Sequence, residues 1–420
     1  MKTEVVKMNG YDARLLKTDK YNVFTIAFMF ELEYTRYNIF LISLLCQYLF
    51  HINSKYKNRE KIQEAFRENY SMSMPLYTIN KGDKLFVKLG LTLPDPQKVN
   101  AEYLESALSL AHDIFFNIYK KNNKLDEYTL KLIKDKKINN KGSDLSDPYN
   151  IQFVLFEKNV YKDSYYIIDH IDSKKEYADI LNSYSDKEIL WMHSHIINNC
   201  FVGCHLLGNY RKKDIALIKK YFPFKYHMPL TDYKYNVNLD NVPKYIEYSN
   251  NKISTSYLKI VYKIDSYKIS EIEKFKVIDM ALNEVGMLLY KTLREEKQIV
   301  YYASSTFLEK SGIFEIRLEI NKDNEKNAIT GIDEVFAKLK DDKLVKEILK
   351  RAKKEIKLSN YVEDESYLRV EYRMISEYYK FTDIKKNITR RFMNVTLEDI
   401  INALPRIKKV TTYIYRGEKE

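Results

Sequence analysis

The chain has 420 residues, of which 45% are hydrophobic and 30% are charged, a composition typical of globular proteins with two or three cores. Its 10 glycines and 8 prolines exclude a collagen-like or disordered chain, and its three cysteines are too few for a disulfide framework. The net charge of +12 comes from lysines spread along the chain, which favours a solvated surface over a nucleic-acid interface.

The amino terminus and the most apolar run bear on cellular location. The sequence MKTEVVKMNGYD lacks the apolar core of a secretory signal. The apolar run 37–50 is shorter than the roughly 20 residues that span a bilayer, and it is interpreted as a buried helix. We therefore expect a cytoplasmic protein with no membrane partner.

In the first half of the chain, alternating apolar residues predict strands at 22–31, 84–93 and 200–207. In the first strand, Phe24, Ile26, Phe28 and Phe30 point the same way, which predicts one buried face. Periodic apolar residues predict helices at 37–50, 57–69, 101–119, 127–137, 151–156, 185–196 and 212–221. The polar run 139–147 predicts a loop.

The segment 222–247 contains Pro223, Pro229 and Pro243 and has no helical periodicity, which predicts a connection between domains. Beyond it, strands are predicted at 257–264, 313–320 and 410–416. Helices are predicted at 271–294, 325–339, 342–359, 364–379 and 396–404, the last with Thr396 as its N-cap.

The two halves repeat one order of elements, because strands near 22, 84 and 201 have counterparts near 257, 312 and 411. This predicts homologous domains over 1–221 and 248–420, joined by 222–247. Each domain is expected to place helices over one side of a mainly antiparallel sheet, an α+β fold.

One stretch, 293–305 (LREEKQIVYYASS), combines a cation at a predicted helix end with a tyrosine at a strand start. Arg294 offers a planar fork of hydrogen-bond donors. Tyr301 offers a hydroxyl that can donate to an oxygen that becomes negatively charged during a reaction. On the residues alone, we favour a solvated helix-end cation and a strand tyrosine packed in the core, because tyrosine is abundant in this chain, with 37 residues.

This stretch resembles the arginine–tyrosine motif in the second half of insulinase-like, or mitochondrial-processing-peptidase-like, zinc peptidases of the pitrilysin superfamily. The run 302–305 (YASS) resembles a bacterial subgroup of that family that lacks the zinc-binding sequence. The resemblance implies two homologous domains that form half of a clamshell.

The family's zinc motif, His-x-x-Glu-His on the first long helix, is missing from this sequence. Its place falls at 43–47, where the chain has Ser43, Cys46 and Gln47, and His51 stands alone nearby. The resemblance therefore implies no zinc or other cofactor in this chain and no peptidase activity by the chain alone.

A second group of metal-ligating residue types lies at 193–205: His193, His195, Cys200, Cys204 and His205. The first two are two residues apart on a predicted helix and do not share a face. Cys200 and Cys204 alternate along a predicted strand as core residues do. We favour a core role, with a metal site at Cys200, Cys204 and His205 as the open alternative.

The resemblance implies a non-metal-binding subunit of a heterodimeric metalloendopeptidase. A zinc-bearing insulinase-like partner would supply metal and general base, and this chain would supply chamber wall, Arg294 and Tyr301 for a peptide substrate. Leader-peptide processing is suggested by analogy alone. The alternative is a catalytically inert peptide-binding or scaffold protein of the same fold.

Overall fold

The structure is a computed structural model that describes residues 3–99, 102–162, 164–224, 230–235, 237–380 and 388–419, without the side chains of 166, 360–363 and 388. The chain forms two compact units. The first unit comprises Met1–Ser146, Ile168–Lys234 and Ser366–Phe381, and the second comprises Asp147–Ile167, Tyr235–Glu365 and Thr382–Glu420.

The predicted domains 1–221 and 248–420 are each continuous in sequence. Each compact unit, by contrast, also includes a segment from the other half of the chain. The main change of unit follows Lys234, inside the predicted connection 222–247. Residues 225–229 and 236 of that connection lie outside the described residues.

The first unit contains a six-stranded sheet in the order β1-β2-β6-β3-β5-β4. Its strands are β1 (Glu4–Lys7), β2 (Asp12–Lys17), β3 (Val23–Glu33), β4 (Leu76–Lys81), β5 (Lys84–Pro94) and β6 (Phe201–Gly208). Neighbouring strands are antiparallel, except that β2 and β6 are parallel.

The second unit contains a five-stranded sheet in the order β7-β11-β8-β10-β9. Its strands are β7 (Tyr245–Asn250), β8 (Thr255–Ile264), β9 (Tyr302–Leu308), β10 (Ile313–Asn321) and β11 (Ile407–Gly417). Only β7 and β11 are parallel. The order and directions match those of β2-β6-β3-β5-β4, so the predicted α+β fold of two homologous domains is confirmed.

In chain order, the helices are α1 (Arg36–Leu49), α2 (Arg59–Glu68), α3 (Tyr103–Phe116), α4 (Glu127–Ser146), α5 (Pro148–Val160), α6 (Lys174–Ser183), α7 (Asp186–Asn199), α8 (Lys212–Tyr221), α9 (Ile272–Leu282), α10 (Glu325–Lys338), α11 (Asp342–Glu363), α12 (Tyr367–Tyr378), α13 (Ile388–Asn394) and α14 (Leu397–Ala403). Within the described part of the chain, no helix is both long and apolar enough to cross a membrane.

The prediction that β3 has one buried face is wrong, because residues 24–30 are all buried. Ala27 and Met29 on the second face pack with Ile375 of α12 and with Tyr379. A buried ion pair between Lys88 of β5 and Glu371 of α12, 2.8 Å long, fixes the same helix. Helix α12, which is distant in sequence from β3, therefore covers the second face of this sheet.

The second sheet is also covered on both faces. On one side, Leu258, Ile260 and Phe314 join the main core with α9, α10 and α11. On the other side, Val261 and Tyr413 pack against Phe156 of α5. The prediction that helices cover one side of each sheet is therefore incomplete, because α12 covers the other side of the first sheet and α5 covers the other side of the second.

The predicted loop 139–147 is wrong, because α4 continues to Ser146. Gly142 lies against the side chain of Lys174 of α6, where an added Cβ would be 2.7 Å from the Lys174 Cδ, and Lys174 Nζ donates to Asn139 Oδ1 at 3.3 Å. Packing against α6 thus outweighs the low helix propensity of the run, and the connection shrinks to Asp147, which caps α5.

The predicted N-cap at Thr396 is confirmed. Its hydroxyl accepts from the Asp399 N–H at 3.1 Å, and the Asp399 carboxylate accepts from the Thr396 N–H at 2.9 Å. We expect Thr396→Ala to lower the free energy of unfolding by about 1 kcal/mol. Denaturant unfolding measures the loss, and Thr396→Ser, which keeps the hydroxyl, is the control. A loss of equal size in both variants would contradict the capping role.

Candidate functional site

The helix predicted over 271–294 ends early, at Leu282. The next residue, Asn283, turns its amide to β9: its Nδ2 donates to the Ser305 carbonyl at 2.9 Å, and its Oδ1 accepts from the Ser305 N–H at 2.7 Å. The Ser305 hydroxyl donates to Asp279 of α9, and burial raises the pKa of that carboxyl. This buried polar cluster ends α9 and ties it to the strand.

The chain then turns between residues 283 and 287. A Cβ on Gly286 would lie 2.2 Å from the Ala281 carbonyl oxygen, so this position requires glycine, and Met287 has a φ of 52°. Helical structure resumes as a seven-residue π-helix, Tyr290–Glu296. A π-helix of this kind is often found at functional sites.

Arg294 lies in the last turn of this π-helix with its side chain exposed, next to the buried Leu293. Its guanidinium carbon is 5.8 Å from the ring centroid of Tyr290. Its guanidinium makes no hydrogen bond or ion pair with any residue that the structure describes. The guanidinium donors are therefore available to a ligand.

Tyr301 lies at the other end of the following turn. Gln298 takes a φ of 55°, the Ile299 N–H donates to the Leu293 carbonyl at 2.9 Å, and the Tyr301 N–H donates to the Glu319 carbonyl of β10 at 2.7 Å. The backbone is thus fixed, yet the Tyr301 side chain is 51% exposed. Its hydroxyl has no hydrogen-bond partner among the described residues, so a packed strand tyrosine is the wrong interpretation.

Helix α10 braces the π-helix. Lys338 donates to Thr292 Oγ1 at 2.9 Å and to Glu296 at 2.7 Å. Gly331 lets the two helices approach closely, because a Cβ there would lie 2.5 Å from Leu293 Cδ2. Arg294, which follows Leu293, is therefore held on a rigid support.

The outer edge of β9 is only partly open. The strand pairs with β10 alone among the described strands, but the Asn283 amide occupies both backbone groups of Ser305 on the other side. A side-chain amide here imitates a neighbouring strand, which is one way to block edge-to-edge pairing. A further strand can therefore pair only with the beginning of β9.

In the first unit, the position on α1 that corresponds to the zinc motif is occupied by other types of side chain. Lys137 of α4 donates to the Ser43 hydroxyl, and burial lowers the pKa of its amine. Burial raises the pKa of the Cys46 thiol to about 12. A hydroxyl, a single buried thiol, an amide and a lysine amine do not form a zinc site. Within the described residues, no three His, Cys, Asp or Glu side chains are grouped to hold a metal ion.

A cavity of about 370 Å³ lies at the end of α1, between Gln47, His51 and Arg59 and the residues that lead into β4. His51 Nδ1 contacts the Gln47 carbonyl at 2.8 Å. The strand β4 pairs with β5 alone among the described strands, and most of its side chains are exposed or half-buried. This edge and cavity form a second exposed surface, on the first unit.

The histidines and cysteines at 193–205 do not converge. His193 Nε2 contacts the Phe115 carbonyl at 2.7 Å, and His195 stacks on the Trp191 ring at 4.8 Å. Cys204 and His205 are successive residues of β6 and point to opposite faces. Burial raises the pKa of Cys204 and lowers that of His205 to about 3, as expected for core side chains.

Comparison with known proteins bears on the family. Residues 208–356 match the family model described as the peptidase M16 inactive domain. The chain has the M16 peptidase fold, and its residues 208–356 resemble the inactive-type M16 domain. The predicted resemblance to insulinase-like peptidases is confirmed by this match, and no curated protein sequence matches the chain.

Three solved structures illustrate the fold. A conserved protein from Enterococcus faecalis V583 superimposes with a TM-score of 0.82 at 16% identity, covering 100% of this chain and 99% of that chain. The peptidase M16 inactive domain from Pseudomonas fluorescens gives 0.74 at 15% identity, covering 99% and 98%. The periplasmic protease PqqL from Escherichia coli gives 0.70 at 13% identity, covering 99% of this chain but 46% of that chain.

Sequence reasoning singled out Arg294 and Tyr301, whose roles stay predictions, and it missed three features of the structure. It missed Lys137 at the place of the metal motif, the Asn283 amide on β9, and the buried amine of Lys259 on β8. Each depends on a contact with an element distant in sequence, and none belongs to a periodic or spaced pattern.

Proposed function

We propose that this chain is the non-metal-binding subunit of a heterodimeric insulinase-like metalloendopeptidase. The observation that carries the proposal is the pair Arg294 and Tyr301, both exposed and both without a polar partner among the described residues. Their backbone is nevertheless fixed by α10, β10 and two hydrogen bonds of the turn. A rigid support for two unused donors is typical of a preorganised binding site.

In this proposal, Arg294 binds a carbonyl oxygen of the peptide near the scissile bond through its planar fork. Tyr301 donates its hydroxyl proton to the oxygen that becomes negative in the tetrahedral intermediate. Zinc and the general base belong to the partner, and this chain has no cofactor of its own. Its share of catalysis is orientation and charge stabilisation.

A longer protease of the same fold motivates the proposal of a partner of similar size. The Escherichia coli protease is about twice as long as this chain and matches it over 46% of its length. By analogy with that longer protease, we propose that this chain acts together with a second, zinc-bearing chain. The proposed complex acts in the cytoplasm and needs neither nucleic acid nor a membrane.

The proposed substrate is an unfolded peptide. An extended peptide can add to the open edge of β4 through backbone hydrogen bonds, whereas the edge of β9 is blocked at Ser305. Leader-peptide processing is one use of such an activity and rests on family analogy.

The direct test mixes this chain with a zinc-bearing homologue from the same source and measures cleavage of a fluorogenic peptide. We expect the mixture to cleave and each chain alone to be inactive, with zinc bound only by the partner. Peptide binding with no effect on the partner's rate would favour the alternative, a catalytically inert peptide-binding or scaffold protein.

A positioning role for Gly331 follows from its contact with Leu293. Gly331→Ala places a methyl 2.5 Å from Leu293 Cδ2, so the buried Leu293 side chain must repack. We expect this repacking to displace the π-helix and Arg294. We expect kcat in the mixed complex to fall by about tenfold, since small misplacements of a reacting geometry are costly.

The double variant Gly331→Ala/Leu293→Val removes the clashing atom, and we expect it to recover most of the rate. Thr330→Ala, a change at the neighbouring exposed position of α10, is the control. Full activity of Gly331→Ala, or a loss that the double variant fails to recover, would show that this contact does not position Arg294.

A further inference from the structure

The second unit contains a narrow slot between α5 and its sheet. Its cavity has a volume of about 30 Å³, enough for a small polar group. The half-exposed rings of Tyr149 and Tyr302 stand at its mouth, and Lys259 of β8 and Arg317 of β10 lie inside. Tyr302 directly follows Tyr301 in the chain, so the mouth of the slot lies one residue along the chain from the proposed peptide site.

Lys259 is the unusual group in this slot. Its side chain is 3% exposed, and its Nζ has no hydrogen-bond partner among the described residues. The nitrogen lies 4.5 and 4.1 Å from the ring centroids of Phe153 and Phe156. The rings attract a cation but supply no lone pair to accept its hydrogens, so the amine retains unused donors.

Arg317 makes the surroundings of Lys259 more positive. The two residues are directly opposite across β8 and β10, an arrangement of like charges that destabilises a sheet. Arg317 is bonded to the Glu315 carboxylate, with Nε 3.1 Å from Oε2.

Three carboxylates face this pair of cations. Glu315 also accepts from the Tyr161 hydroxyl at 2.5 Å, so its charge is already shared. Glu157 of α5 and Glu319 at the mouth are the others. Lys259 makes no hydrogen bond to any of the three, and it is the cation left to bind an added acceptor.

We propose that this slot is a subsite for a carboxylate of the bound peptide, with the Lys259 ammonium as its principal donor. The inference rests on the proposed function, since it assigns the slot to the same peptide that Tyr301 contacts. The small volume admits a carboxylate but no ring. The carboxylate belongs either to an Asp or Glu side chain or to the carboxyl terminus of the peptide.

The subsite predicts proton uptake on binding. Burial lowers the pKa of the Lys259 amine to about 7. The negative charges of Glu315 and Glu157 act to raise this pKa, and the positive charge of Arg317 acts to lower it. A bound carboxylate favours the protonated amine and so raises that pKa. The preference for an acidic peptide is therefore expected below neutral pH and lost well above it.

The experiment uses isothermal titration calorimetry of the full chain with short blocked peptide pools that contain no Asp or Glu except at one central position. One pool has Glu there, a second has Gln, and a third has Gln with a free carboxyl terminus. At about pH 6, we expect the Glu pool or the free-terminus pool to bind about tenfold more tightly than the blocked Gln pool, with proton uptake. The pool that binds more tightly identifies the source of the carboxylate.

The preference should vanish at about pH 9 and in Lys259→Met, and persist in Lys263→Met, a change of an exposed lysine on the same strand. Equal binding of all pools, or a preference that survives Lys259→Met, overturns the subsite and leaves the proposed function intact. Absence of binding by every pool overturns the subsite together with the peptide-binding part of the proposed function.

Discussion

Tyr301→Phe is expected to lower kcat for peptide cleavage by the mixed complex about 10²–10³-fold, the usual effect of removing one donor to a developing oxyanion. Arg294→Ala is expected to lower kcat by a similar factor, because the scissile bond is no longer held in position. Both side chains are exposed, so neither change disturbs the core. For Tyr301→Phe we expect KM to change little, because the hydroxyl acts mainly on the transition state. For Arg294→Ala we expect KM to rise as well, since the guanidinium also binds the ground-state carbonyl.

The measurement is steady-state cleavage of a fluorogenic peptide, with complex formation checked by size-exclusion chromatography. Lys291→Ala on the π-helix and Tyr372→Phe on α12 remove an exposed cation and an exposed phenol elsewhere, and we expect both to be fully active. Arg294→Lys keeps the charge without the planar fork and should recover only part of the rate. Unchanged kcat and KM in both Arg294→Ala and Tyr301→Phe would refute the mechanism.

Lys259→Met is expected to make the protein more stable by several kcal/mol at neutral pH, on the order of 4. The physical reason is the burial of an amine whose ammonium form has no hydrogen-bond partner among the described residues. Between its folded-state pKa of about 7 and its unfolded value near 10.5, the unfolded chain binds the proton that the folded chain has released. Wild-type stability therefore rises with pH across this window, and below it the cost of the buried charge stays constant.

Methionine has a similar shape and no charge, so the gain is greatest at or below pH 7 and shrinks toward pH 10.5. The gain is partly offset, because Glu157 and Glu315 lose a nearby cation. Denaturant unfolding at several pH values measures the effect, and Lys263→Met is the control at an exposed site. A variant that is no more stable than wild type, or a gain that does not depend on pH, would contradict this account.

A gain in stability together with a loss of acidic-peptide preference would explain why the chain contains an unfavourable lysine. Residues that break a folding rule are expected at functional sites, where binding outweighs the destabilisation. The two measurements are independent, because unfolding requires no peptide and calorimetry requires no denaturant.

The sequence alone determined the duplicated α+β order, since alternating apolar residues mark β3, β5 and β6 and their counterparts β8, β10 and β11. It also located Thr396 as a cap and the stretch that contains Arg294 and Tyr301, because caps and motifs depend on residues close in sequence. The exposed strands β1, β4 and β7 were missed, since short strands with few buried side chains lack a strong alternating pattern.

The tertiary structure alone decided which features depend on contacts between distant segments. Helix α4 continues through a polar run because α6 packs against it, and α9 stops at Leu282 because Asn283 bonds to β9. The second faces of the two sheets are buried by α5 and α12, and Lys259 is isolated under α5. Local propensity is worth a fraction of a kcal/mol per residue, whereas each of these tertiary contacts adds burial or hydrogen bonds that outweigh it.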